Sequence, residues 1–372
     1  MLQQLTDPNR FMLIGVFPKF ARKEDIIIDL EETSSLVHTY GGEVFAVSVQ
    51  RSESPDRNMF VGKGKVEEVM ETIVKDDIQV VVLHNNVKAR QIHSLKKQLI
   101  KVKPDIVVWD RVDLILYIFS KHAQTAEAKL QIALAAMRHM GPRIYGMGFE
   151  LSRQGGGVGG VGIGETNTEL MKRHWRDQIK KANDELKKLS KERERQLEKR
   201  RRAGQKTVSL VGYTNAGKSS LFNLLTGKDK LVENALFATL DSVVGTWYVK
   251  ALQKEVMVSD TIGFIKDLPP KLIDAFKSTL MESVHADILL HIIDASDPQM
   301  EEKIGVVESV LYELELTNRK RIYVFNKIDQ AVDLDRHMLE EKYEQFSPVF
   351  ISVTKKEGLE NFSATIAYQL AA

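Results

Sequence analysis

Thr207-Val208-Ser209-Leu210-Val211 alternates small and apolar side chains and runs directly into Gly212-Tyr213-Thr214-Asn215-Ala216-Gly217-Lys218-Ser219-Ser220. A strand feeding a GxxxxGKS turn that opens a helix is the arrangement that cradles a phosphate chain, and it commits its surroundings to a layered α/β fold. The glycines let the backbone turn tightly, Lys218 carries a cation to the β and γ oxygens, and the Ser219 hydroxyl can ligate magnesium. A helix beginning at Lys218 points its positive end at the same anion. The chain reads first as a nucleotide triphosphatase.

Base identity comes from Asn326-Lys327-Ile328-Asp329, which follows the strand-like run Arg321-Ile322-Tyr323-Val324-Phe325 a little over 100 residues beyond the phosphate loop. In an NKxD turn the Asp329 carboxylate accepts hydrogen bonds from guanine N1 and the 2-amino group, a donor pair that adenine lacks. Between the two lies Val256-Met257-Val258-Ser259, ending in the DxxG turn Asp260-Thr261-Ile262-Gly263. Asp260 is expected to hold magnesium through a water, and the Gly263 amide to sense the γ-phosphate. Thr239, in Leu236-Phe237-Ala238-Thr239-Leu240-Asp241, is the candidate switch threonine for magnesium, with Thr246 as its rival. Ile351-Ser352-Val353-Thr354-Lys355 is the candidate loop beside guanine, with valine where such loops usually carry alanine.

The expected nucleotide-binding set is therefore Gly212 to Ser220, Phe237, Thr239, Asp260, Gly263, Asn326, Lys327, Asp329, Ser352, Val353 and Thr354. Lys218, Thr239 and Gly263 carry the catalytic expectation, and Ser219, Thr239 and Asp260 the metal. Phe264, after DxxG, stands where Ras carries the glutamine that orients the attacking water. A benzyl side chain does neither job, so slow intrinsic turnover is expected, with a partner or a rearranged loop supplying the missing order. Phe264, with Ile262 and Ile265, also suits a second task, anchoring the switch on the core.

At 372 residues the chain is long enough for two or three domains. The absence of cysteine excludes disulfides, thiol catalysis and a cysteine zinc site. No bilayer-length apolar run and no leader-like start at Met1 are present, so a cytoplasmic protein is expected. The net charge of +2 says little, but its distribution is uneven. Residues 171 to 202 hold fourteen Lys plus Arg against six Asp plus Glu, with no Pro or Gly before Gly204. Leu186, Leu189 and Leu197 make only a thin apolar seam, so a long helix paired with another is expected. Its mate is Ala123 to Met140, with Gly141-Pro142 as the stop. A long antiparallel helical hairpin follows, its basic flank (Lys172, Arg173, Arg176) either suited to a phosphate backbone or merely solvated.

The connecting segment carries Gly155, Gly156, Gly157, Gly159, Gly160, Gly162 and Gly164, seven glycines in ten residues. It reads as an RNA-facing contact loop or a linker; its GxGxxG spelling lacks the flanking strand of a dinucleotide site. Ahead of it, Phe11 to Phe17, Val44 to Gln50, Ile78 to Leu83 and Asp105 to Trp109 are strand candidates. Helix-like stretches at Asp25 to Thr39 and Lys65 to Lys75 separate them, giving a small α/β subdomain. Gly62-Lys63-Gly64-Lys65 opens the second helix as an RNA-phosphate contact or a plain surface turn, and His84, His93 and His122 read as packing or surface residues. The division expected is 1–110 (α/β subdomain), 111–203 (hairpin and glycine loop) and 204–372 (P-loop GTPase domain).

With these elements assembled, the chain resembles the HflX family of ribosome-associated translational GTPases over nearly its whole length. The resemblance is carried by Gly62-Lys63-Gly64-Lys65-Val66-Glu67-Glu68, Asp110-Arg111, Ile118-Phe119, Ala123, Thr125, Glu127, Lys129, Gln131, Pro142-Arg143, the glycine loop with Gly164-Glu165-Thr166 and Glu169, and Phe237-Ala238-Thr239-Leu240-Asp241. It implies GTP as substrate, GDP as product, Mg²⁺ as cofactor and the large ribosomal subunit with its RNA as partner. The implied role is separating stalled or idle ribosomes under stress; from the residues themselves no membrane is expected, and the thin helical seam is expected to close within one chain, as a monomer, ahead of the alternative of closing between two. The apolar residue that the family carries after DxxG matches Phe264, and stimulation by the ribosome answers the missing glutamine. Gly160 and Val161 replace the family's usual Thr-Arg pair and Ile163 its proline, which removes a charge-assisted phosphate contact and some preorganisation. The alternatives are a GTP-dependent assembly factor or RNA-binding switch, and a structural adaptor that retains nucleotide without turning it over.

Overall fold

The computed structural model describes residues 8–154, 163–228, 236–237, 243–268, 272 and 281–371. The chain divides into two compact units, Met1–Lys121 with Lys129–Glu185, and His122–Ala128 with Leu186–Ala372.

The first unit is built on β1 (Arg10–Phe17), α1 (Lys23–Tyr40), β2 (Glu43–Arg51), α2 (Lys63–Lys75), β3 (Val80–Leu83), α3 (Ala89–Leu99) and β4 (Val107–Asp110). All pairs are parallel, in the order β2-β1-β3-β4. The inner strands β1 and β3 are almost continuously apolar and buried, as strands covered on both faces must be. Helix α2 shows the complementary pattern, burying Val66, Val69 and Ile73 at helical spacing. The strands and helices read from the sequence lie within these elements or a few residues of their ends. His84 is a packing residue: Nδ1 lies 2.9 Å from the Thr33 hydroxyl and the ring stacks on Phe17.

Helices α4 (Arg111–His122), α5 (Ala126–Gln154) and α6 (Ile163–Arg202) follow. Two expectations are corrected here. Helix α5 runs straight through Gly141-Pro142, where a stop was expected. Proline costs the helix one hydrogen bond, and tertiary ion pairs on either side of it hold the turn. Arg143 bridges Asp113 (2.5 Å) and Asp110, and His139 Nε2 lies 3.1 Å from Asp110. Second, Gly164, Glu165 and Thr166 belong to the first turn of α6 and not to an open loop. The remaining loop glycines, Gly155, Gly156, Gly157, Gly159, Gly160 and Gly162, lie outside the described residues. Within the first unit, Trp175 Nε1 on α6 donates to Met137 O on α5 (2.9 Å), and Arg138 donates to Asn183 (3.2 Å). Within the second, Arg193 pairs with Glu127 at 3.1 Å.

The second unit contains β5 (Thr207–Gly212), α7 (Lys218–Thr226), β6 (Val243–Val249), β7 (Lys254–Asp260), α8 (Met281–His285), β8 (Ile288–Asp294), α9 (Met300–Glu313), β9 (Arg321–Asn326), α10 (Arg336–Lys342), β10 (Val349–Phe350) and α11 (Leu359–Ala371). Its sheet runs β10-β9-β8-β5-β7-β6, with only β6 antiparallel to its neighbour. One face packs Leu210, Val258, Ile292 and Val324 against Phe362 and Ile366 of α11; the other packs Ile293 and Phe325 with Ile304 of α9. The chain leaves β5 toward β7 on one side and returns to β8 on the other, so a crevice opens at their carboxyl ends, where α/β sheets bind ligands. Among the described residues, no helix is long and apolar enough to cross a membrane.

Candidate nucleotide site

The GxxxxGKS turn occupies that crevice. It leaves β5 at Gly212, whose φ of 150° borders on extended backbone and whose missing Cβ leaves room for Ile292 O. It then passes Asn215 (φ 62°) and Gly217 (φ 95°) into α7. A Cβ on Gly217 would collide with Asn326 Nδ2, so close approach and a left-handed backbone both demand glycine there. No side chain caps the N-terminus of α7, which leaves its first-turn amides facing an anion site.

Lys218 is 6% exposed, and its ammonium donates to Gly212 O (3.1 Å) and Tyr213 O (2.6 Å). The loop's own carbonyls thus hold the cation over the turn. Ser219 Oγ donates to Asp260 Oδ2 at 2.7 Å, and Asp260 is fully buried at the end of β7. A hydroxyl beside a carboxylate is a hard-oxygen donor set of the kind magnesium prefers, so the two residues fit that ion. Thr261 Oγ1 donates to Leu210 O (2.6 Å) and ties the DxxG turn to β5. A Cβ on Gly263 would come to 3.0 Å from Lys218 Nζ, placing the backbone of Gly263 at the head of the lysine. Phe264 is 1% exposed and Ile265 and Ile262 are buried with it, the anchoring reading of these residues.

Asn326 joins the two remaining elements to the loop. Its Nδ2 donates to Ala216 O (3.0 Å) and its Oδ1 accepts from Val353 N (3.2 Å). Ser352 is buried and its Oγ accepts from Lys355 N (3.0 Å), closing the turn that leaves Thr354 exposed. Lys327, at φ 64°, pairs with Asp294 at 2.6 Å, while Asp329 is exposed. Tyr213, Thr214, Phe237 and Asp260 are buried, Asn215 is exposed, and Ser220 is half-buried on α7. Thr239 lies outside the described residues, and its rival Thr246 sits exposed on the edge strand β6. Lys172 is half-buried on α6, with Arg173 and Arg176 exposed.

Two features were missed in the sequence. Asp294, which pairs with Lys327, is signalled only by an acid closing the run Ile288–Ile293, apolar but for His291. In the first unit, Asp110, Asp113 and His139 cluster within metal-ligand reach. Their signal was Asp110/Asp113 at i,i+3 and His139/Arg143 at i,i+4. The Arg143 guanidinium already bonds both carboxylates, which makes the cluster an ion-pair junction. Burial alone would lower the His139 pKa, but hydrogen bonds and charge from Asp110 and Asp113 raise it to about 9.

Comparison with known proteins agrees with this geometry. Residues 28–120 match a family described as GTP-binding GTPase N-terminal, 122–200 the GTP-binding GTPase Middle Region, and 207–327 the 50S ribosome-binding GTPase family. The chain is 40% identical to GTPase HflX of Caldanaerobacter subterraneus, covering 87% of this chain and 73% of that protein. It is 36% identical to GTPase HflX of Escherichia coli, over 92% and 79% of the two chains. For GTPase HflX of Methanocaldococcus jannaschii the identity is 33%, over 90% and 80%. Among solved structures, the SsGBP and GDP complex shares 25% identity at a TM-score of 0.55, over 97% of this chain and 98% of that one. A GTP-binding protein from Sulfolobus solfataricus in complex with GDP shares the fold, with 24% identity and a TM-score of 0.51 over 97% and 98%. The architecture is that of a P-loop GTPase preceded by N-terminal and middle regions, and the chain belongs to the HflX family of GTPases.

Proposed function

We propose that the protein is a Mg²⁺-dependent GTPase of the cytoplasm that binds the large ribosomal subunit in its GTP state and separates stalled or idle ribosomes. The observation that carries this reading is Asn326, whose amide ties the phosphate loop to the loop after β10 at the carboxyl ends of the central strands. Family membership, and the match of 207–327 to a 50S ribosome-binding GTPase family, support the partner.

In this reading water attacks the γ-phosphorus, the bond to the β–γ bridging oxygen breaks, and GDP departs with the electron pair. Lys218 leaves its carbonyl partners for the β and γ oxygens, and the α7 amides stabilise the developing charge. Ser219 and Thr239 would hold magnesium, with Asp260 behind its water shell, and the bound ion would supply charge neutralisation to the phosphate chain. Gly263 presents its amide to the γ-phosphate, and Asp329 reads the guanine edge. The buried Phe264 offers no water-orienting group, so that order comes from the ribosome.

The segment ahead of the GTPase domain is the ribosome-facing part. We assign α5 and α6 to an antiparallel hairpin, supported by Trp175 with Met137, Arg138 with Asn183 and Arg193 with Glu127. Within the division 1–110, 111–203 and 204–372, the loop Gly155 to Gly162, with Gly164 and the Lys172, Arg173 and Arg176 face, meets ribosomal RNA.

Steady-state GTP hydrolysis with purified large subunits, small subunits, naked ribosomal RNA or none tests the reading. Stimulation by large subunits alone is expected. Equal stimulation by naked RNA would favour a free-RNA switch, and none by any of them would remove the ribosome from the proposal.

A further inference from the structure

The sheet does not end where β5 ends. Thr214 N donates to Phe264 O (2.8 Å) and Phe264 N donates to Gly212 O (3.1 Å), so the residues after DxxG add a short parallel rung to the phosphate loop. One further bond extends it: Lys266 N donates to the Tyr213 hydroxyl at 2.8 Å. Beyond it, Lys266 Nζ pairs with Glu302 on α9 (2.7 Å), and the Lys303 ammonium lies 5.1 Å from the centroid of the Tyr213 ring. Tyr213 is thus a phosphate-loop residue whose side chain reaches across to the switch segment.

The segment it holds carries Gly263. The Cβ that Gly263 lacks would fall 2.8 Å from Thr214 Cγ2 and 3.0 Å from Lys218 Nζ, so its backbone lies against both the loop and the lysine head. Phe264 and Ile265, 1% and 0% exposed, seal the same segment into the core, so a shift of Gly263 requires the rung to open. Two main-chain bonds of this rung are joined by a side-chain bond. The side-chain bond belongs to Tyr213.

We propose that Tyr213 is a positioning residue: by accepting the Lys266 N–H, its hydroxyl holds the DxxG segment where the Gly263 amide meets a γ-phosphate, so the site distinguishes triphosphate from diphosphate. The assignment rests on the nucleotide-site reading above and deepens it. GDP has no γ-phosphate and is held by the remainder of the loop. GTP binding draws on the rung in addition, and so does the transferring phosphoryl group.

The test uses the full chain with magnesium and compares Tyr213→Phe with the unmodified protein. The substitution keeps the ring and removes the hydroxyl that accepts the Lys266 N–H. Dissociation constants are measured for GDP and for a non-hydrolysable GTP analogue, together with single-turnover hydrolysis. GDP affinity is expected to stay within about twofold, while analogue affinity and single-turnover rate each fall about three- to tenfold, the size of one neutral hydrogen bond. A variant that merely damaged the loop or its folding would lose both nucleotides in parallel, leaving their ratio unchanged. An unchanged ratio therefore overturns the role of Tyr213. Lys218→Ala serves as the separate check on the site: retention of both nucleotides there would overturn the nucleotide reading itself.

Discussion

Both units carry a largely parallel sheet with the same topological opportunity, and among the described residues only the second places a phosphate-loop turn there. In the second unit the crevice between β5 and β8 holds a glycine-bearing turn with uncapped helix amides. In the first unit the chain also leaves β1 toward β2 and returns to β3, an arrangement that opens a crevice at the strand ends. There Asn85, just beyond β3, fills it: Oδ1 accepts from Val16 N and Nδ2 donates to Val16 O, each at 2.8 Å. The Phe17 and His84 rings stack beside it at 5.3 Å. Strand order makes a binding site possible, and loop chemistry decides whether the space is left for a ligand or closed by the protein.

The largest expected effect comes from removing the cation of the open crevice. Lys218→Ala should lower GTP turnover by about a hundredfold or more, the scale of losing one preorganised charge-stabilising donor. Near-normal steady-state hydrolysis in that variant would erase the contrast between the units. Next is a pair of glycine substitutions. Gly217→Ala forces a side chain into φ 95° and against Asn326, so a loss of about 1–3 kcal/mol in stability is expected, with weakened GDP binding by titration. Gly64→Ala, at the opening of α2 with nothing within 4 Å of its Cβ, should be neutral or stabilise by up to about 1 kcal/mol in urea unfolding.

Unplugging the closed crevice should have an intermediate effect. Asn85→Ala removes both bonds to Val16 and is expected to cost about 1–3 kcal/mol in chemical denaturation while leaving GTP hydrolysis intact. Nucleotide bound at the vacated position would show that topology alone suffices. The last effect depends on pH and concerns the junction of Asp110, Asp113, His139 and Arg143. The His139 pKa, raised to about 9 from an ordinary 6.5, means that the folded state favours the charged ring. That stabilisation is complete below pH 6.5 and is lost as pH rises through about 9. Melting curves of the protein and of His139→Gln should therefore differ most near pH 6 and converge above pH 9.5; a constant gap would discount the charge.

The sequence displayed what is local. The strands before Gly212, Asp260 and Asn326, the helix starting at Lys218 and the apolar runs of β1 and β3 each follow from a few adjacent residues. Helix α5 passing through Pro142 did not, because the pairs that hold it reach back to Asp110 and Asp113, about thirty residues earlier. Asp294 was missed for the same reason, since its partner Lys327 lies on the neighbouring strand's exit.

Taken alone, the sequence determined the kind of chemistry: residue types at fixed spacing, with GxxxxGKS, DxxG and NKxD in order, specify phosphate, metal and base readers whatever surrounds them. Only the tertiary structure decided which groups those readers touch. Lys218 rests on two carbonyls, Asn326 bridges two loops and the segment behind Gly263 is stitched to Tyr213. Those partners are set by strand order and by the close packing of buried polar groups that must each find a hydrogen bond, a condition no short stretch of chain contains.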